Sequence, residues 1–81
     1  MAKPSPSHAG NPFLVAIGDT VRAARVERGL SQESLALEAE LDRSYVGGIE
    51  RGEHNLTLMN LQRIALAVGL TPSDLLKSSG H

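Results

Sequence analysis

Apolar residues return along this chain at steps of three and four. Leu14, Ile17, Val21 and Ala24 make one stripe, and Leu35, Ala36 and Ala39 a second. Val46 and Ile49 make a third, and Leu58, Leu61, Ile64, Ala65 and Val68 a fourth. That spacing is the period of a helix with one buried face. No segment alternates convincingly at every second position, so no strand is predicted. The residues between stripes agree. Gly29 suits the position just past a first helix over residues 13–28. Ser31, Asp42 and Thr57 are oxygen-bearing N-caps for the next three helices. Gly69 stops the fourth, and Thr71-Pro72 opens a short fifth helix that carries Leu75 and Leu76. The prediction is an all-α, compact five-helix bundle. Gly18 inside the first helix costs about 1 kcal/mol against Ala without breaking it.

The second and third helices stand closest together, with only Glu40 and Leu41 between them ahead of the Asp42 cap. Helices joined so tightly cross at a steep angle, the helix-turn-helix arrangement. The third helix has two unlike faces. Val46 and Ile49 point one way, joined by Leu41 from the turn, and Glu50 turns inward. Arg43, Ser44, Gly47 and Arg51 point the other way. An Arg can offer two donors at once to the major-groove edge of guanine, and a Ser can donate or accept there. A solvated face would also account for the pattern. Gly47 and Gly48 offer no side chain for reading. Each costs about 1 kcal/mol against Ala, tolerated without a contact role or in exchange for close approach to DNA or a neighbouring helix. Readout therefore rests on Arg43, Ser44 and Tyr45. Tyr45, on the shoulder of the helix, suits packing, a phosphate bond or stacking on a sugar equally well.

The run GLSQESLALEAELDRSYVGGIERGEHNLTL resembles the Cro/repressor-type helix-turn-helix family, the XRE family. The matching elements are Gly29-Leu30-Ser31-Gln32, Leu35-Ala36 and Ile49-Glu50-Arg51-Gly52, followed by Asn55. Within that family, the stretch LDRSYVGGIERGEHNLTL is most similar to controller proteins of restriction–modification systems. The resemblance runs from about Ile17 to Leu76 and implies a lambda repressor-like DNA-binding domain. One departure is Glu40, where the common pattern often has Gly. The resemblance also implies that Arg25, a charge on the buried side of the first helix, pairs with Glu50. Without it, Arg25 would lay its stem on the core and send its head to water. Gln32 suits a helix start simply as a helix former; the resemblance adds a bond to phosphate or to a recognition residue. Arg51 is expected on phosphate. His54 and Asn55, in the loop that follows, suit a turn and a phosphate contact alike.

Composition bounds the alternatives. The chain has 81 residues, room for one core. It has no cysteine, which excludes a disulfide framework and thiolate metal sites. The only aromatics are Phe13 and Tyr45. A formal charge of −1 argues mildly against nucleic acid, and its distribution matters more. Glu27, Glu33, Glu38 and Glu40 lie off the reading face, leaving Arg43 and Arg51 on it. No apolar run approaches the roughly 18 residues of a membrane span, and residues 1–12 lack a signal-peptide core. A cytoplasmic location is expected. His8, His54 and His81 share no ligand spacing, and there is no phosphate loop or nucleophile elbow. Neither enzyme, metal, cofactor nor small-molecule ligand is expected.

Residues 1–12 hold three of the four prolines and read as a disordered arm, with Lys3 and His8 thin evidence for a DNA contact. Residues 13–77 form the domain, and 78–81 are expected to fray. Leu70, Leu75 and Leu76 are candidates for a subunit contact or for closing the monomer core, and the resembled controllers dimerise through this end. Two functions follow. One is a transcriptional regulator binding double-stranded DNA as a homodimer on a pseudo-palindromic operator. The other is a protein-interaction module, such as an antitoxin-like partner. Gln32, Arg43 and Arg51 on one surface favour DNA.

Overall fold

A computed structural model describes residues 10–81. It contains α1 (Pro12–Glu27), α2 (Gln32–Ala39), α3 (Arg43–Glu50), α4 (Leu58–Ala67) and α5 (Pro72–Ser78), with no strand among the described residues. Each start is secured by the residue before it. The side chains of Asn11, Ser31, Asp42, Thr57 and Thr71 all accept a backbone N–H from two or three residues ahead. Those N–H groups lack carbonyl partners inside the helix, so the caps satisfy donors that would otherwise be orphaned. Thr71 and Asp74 complete a reciprocal capping box on α5. Gly29 and Gly69 end α1 and α4 in the left-handed conformation, at φ 71° and 82°.

The stripes meet in one core. Val21, Leu35, Val46, Ile64, Ala65 and Leu75 are fully enclosed, one or two from each helix. α1 crosses α3 at Gly18, where a Cβ would stand 2.4 Å from the Ile49 carbonyl oxygen. The glycine is therefore required for close helix contact. Arg28, just past α1, donates from Nη1 to the Ala67 carbonyl, covering one of the free oxygens at the end of α4.

The ends of the domain differ from expectation. α1 begins at Pro12, and the Gly10 N–H donates to the Gly52 carbonyl at 3.1 Å. Residues 10–12 therefore belong to the fold, and the rest of the proposed arm lies outside the described residues. The His81 N–H donates to the Leu76 carbonyl at 2.9 Å, and its ring meets Phe13 edge-on at 4.6 Å. Leu75 is fully buried, so it belongs to the monomer core and presents nothing to a second subunit. Leu70 and Leu76 are half-buried. Adjacent leucines on a helix diverge by about 100°, so one enters the core and the next lies at its rim.

Candidate nucleic-acid interface

Between α2 and α3 the chain turns through Glu40, which adopts φ 58°, the only positive φ outside glycine among the described residues. The left-handed residue swings Leu41 inward against the core and places Asp42 to cap α3. Asp42 accepts from the Ser44 N–H at 3.1 Å and from the Ser44 hydroxyl. The hydroxyl bond, ahead of the backbone bonds, holds the Asp42 carboxyl below the usual range. Arg43 is exposed at the first position of α3, beside this cap.

The inward end of α3 is held by a polar cluster from three helices. Glu50 is 7 % exposed. Arg25 of α1 donates to it from Nε at 2.6 Å and Nη2 at 3.1 Å, and from Nη1 to the Leu30 carbonyl at 2.9 Å. Gln32 of α2 adds Nε2 at 3.0 Å to the same carboxylate. A two-toothed guanidinium–carboxylate pair fixes orientation as well as distance. It locks the crossing of α1 and α3, and it ties the start of α2 to the end of α3. With Nε2 committed inward, the Gln32 carbonyl oxygen lies near Gly47: a Cβ there would stand 3.6 Å away.

The two glycines have separate reasons. Gly47 lies beneath Gln32 and Arg51, with Arg51 Nη1 3.2 Å from a Cβ built there. Gly48 is turned about 100° from Gly47, and a Cβ there would collide with His54 Nε2 at 2.5 Å. His54 is 7 % exposed, and its ring lies 4.7 Å from that of Tyr45. The His54 ring is packed under α3, which leaves little of its surface for the phosphate contact expected of it. The same ring fills the space beside Gly48. Tyr45 packs on His54 while its hydroxyl accepts from Asn60 Nδ2 at 3.2 Å.

Asn55 is exposed in the loop beyond α3. The structure thus brings Gln32 and Arg51 together at Gly47, with Arg43 exposed one turn earlier at the start of α3 and Ser44 tied to its Asp42 cap, and it packs His54 against Gly48 and Tyr45. Two partners went unread in the sequence, Asn60 and Glu53. Glu53 accepts from Arg51 Nε at 2.8 Å and Nη2 at 3.2 Å. Its spacing of two from Arg51 across a glycine turn was the available signal. Among the described residues no cluster of His, Asp or Glu is placed to hold a metal ion, and no helix is long and apolar enough to cross a membrane.

Comparison with known proteins agrees with this geometry. A helix-turn-helix family model matches residues 21–75. Control protein C.BamHI of Bacillus amyloliquefaciens is 42 % identical over 67 residues, covering 82 % of this chain and 83 % of that protein. Control protein C.MunI of Mycoplasma sp is 39 % identical over 66 residues, 80 % of this chain and 89 % of the relative. The crystal structure of the restriction–modification controller C.AhdI of Aeromonas hydrophila superposes with a TM-score of 0.74 at 48 % identity. It covers 76 % of this chain and 94 % of that one. On its fold, its capped recognition helix and these relatives, the chain belongs to the XRE-type helix-turn-helix family of DNA-binding transcriptional regulators.

Proposed function

We propose that this regulator works as a homodimer, placing α3 of each subunit in successive major grooves of a pseudo-palindromic operator. The observation that carries the reading is the outer side of α3, where Arg43 stands exposed and Gln32 and Arg51 converge over Gly47. Arg43 reads a guanine, with Ser44 and Tyr45 beside it, while the backbone N–H of Gln32 at the start of α2 and the Asn55 side chain hold phosphate. One such helix covers only a few base pairs, too few for a useful specificity ratio, and pairing doubles the site. The subunit contact is an apolar rim where Phe13, Leu58, Leu61 and Leu76 border one groove. Leu58 is 83 % exposed, a large apolar side chain that a second copy would cover. On this reading the chain acts in the cytoplasm, without catalysis.

Selection from random duplex DNA with the purified protein tests the reading and should recover one motif with two-fold symmetry. Arg43→Ala should then lose about 1–3 kcal/mol of specific binding and its preference at one guanine. An Arg43→Ala protein that binds every operator variant like the parent would remove Arg43 from base readout, and recovery of no motif would refute the operator itself.

A further inference from the structure

Arg51 caps the C-terminal end of α3, where an arginine ordinarily meets phosphate. Its side chain does not stay there. It runs back one turn along the helix, so that Nη1 lies 3.2 Å from the Cβ position of Gly47, a position that also has the Gln32 carbonyl oxygen 3.6 Å away. The guanidinium therefore rests near the middle of the outer side of α3. Gly47 leaves that space open; a side chain at this position would push into the Arg51 tip.

The edge that Arg51 uses is equally specific. A guanidinium has a side edge, Nε with Nη2, and an end edge, Nη1 with the second N–H of Nη2. Glu53 occupies the side edge at 2.8 and 3.2 Å. The end edge is the pair of donors that matches O6 and N7 of guanine. Glu53 is itself anchored, because its N–H donates to the Gly48 carbonyl at 2.9 Å after the left-handed turn at Gly52. The hydrogen bond from Arg51 holds the Glu53 carboxyl below the usual range, and Glu53 in turn raises Arg51, so the pair stays ionised at neutral pH.

We propose that Arg51 is a second base-reading residue, aimed from above Gly47, and that Glu53 is the positioning residue that aims it. The proposal rests on α3 being the reading helix. It explains an acid beside a surface that must approach a polyanion in a chain of net charge −1. Such an acid weakens attraction to every duplex. What it contributes in exchange is a fixed plane for the arginine, which turns a general attraction into a base preference.

Measuring the full-length parent, Glu53→Gln and Arg51→Lys against the selected operator, each of its single base-pair variants and an unrelated duplex tests this. Titrations at several salt concentrations complete the set. Glu53→Gln should bind the operator roughly 10- to 100-fold more weakly, the range of one good two-donor base contact. Its affinity for the unrelated duplex should hold or rise. The loss of preference should fall on one base pair, the same one that Arg51→Lys flattens, and the double variant should be no worse than Arg51→Lys alone. Tighter binding of Glu53→Gln to all sequences alike, with a steeper salt dependence, would show that Glu53 only neutralises Arg51 and overturn the proposal. Uniform weakening of every sequence by Arg51→Lys would place Arg51 on phosphate, with the same consequence. A parent that selects no motif overturns this proposal and the operator reading together, whereas a selective parent with an unchanged Glu53→Gln profile overturns this one alone.

Discussion

Single residues in this domain are placed by their neighbours' needs as much as by their own chemistry. Glu40 shows it most directly. A residue with a Cβ sits at φ 58° because the turn between α2 and α3 needs the left-handed conformation there. For a non-glycine residue that conformation costs about 1–2 kcal/mol. Glycine removes the strain but gives the unfolded chain more freedom, which takes back about 0.4–1 kcal/mol. Glu40→Gly should therefore stabilise the protein by roughly 0.5–1 kcal/mol, read as a higher urea midpoint with an unchanged slope. A lower midpoint would show that the glutamate makes an offsetting contact. Gly48 and His54 are coupled in the same way: the imidazole fills the space that a side chain on Gly48 would need.

Among the helices, the decisive contact is the cluster of Arg25, Gln32 and Glu50. It spans 25 residues between Arg25 and Glu50 and 18 between Gln32 and Glu50, and it joins α1, α2 and α3. The side chains of Arg25 and Glu50 are 12 % and 3 % exposed. Removing one partner leaves a charge buried without its counterpart, at a cost of about 3–5 kcal/mol. Glu50→Ala should therefore lower the melting temperature sharply. Replacing Arg25 and Glu50 together by apolar residues of similar size should recover much of that loss, because no stranded charge remains. The double variant should still bind DNA more weakly, since Gln32 loses the acceptor that holds it over Gly47. A Glu50→Ala protein that melts with the parent would mean that the cluster contributes nothing to the fold.

For the whole molecule, the question is what covers the apolar rim around Phe13, Leu58 and Leu76. If a second copy does, Leu58→Glu should yield a monomer by sedimentation with a nearly unchanged fold, since Leu58 is 83 % exposed. Operator affinity should fall steeply, because each subunit would then bind its half-site alone. In the parent, half-site centres should lie about 34 Å apart, close to one helical turn. Inserting five base pairs between them turns one site to the far side of the duplex and should abolish dimer binding. A parent that sediments as a monomer at high concentration and tolerates the insertion would exclude the two-fold arrangement.

What the sequence determined by itself was local. Ser31, Asp42, Thr57 and Thr71 each cap a helix by reaching two or three residues ahead, and the apolar stripes repeat every turn, so both are written within a few positions. The number of helices, their limits to within a residue or two and the helix-turn-helix followed from those signals. The tertiary structure decided which distant side chains meet. Val46 and Ile49 were legible as core, but the sequence could not tell which side of α3 His54 would fold back against, nor that Gly48 would receive it. Leu75 and Leu76 are chemically the same, and only the packing of α5 on its neighbours separates the buried one from the rim. Arg51 leaves the end of its helix because Gly47 leaves room one turn back and Glu53 grips its other edge. Caps and periodicity depend on bonds across one helical turn, whereas these placements depend on how helices cross, which no short stretch of sequence encodes.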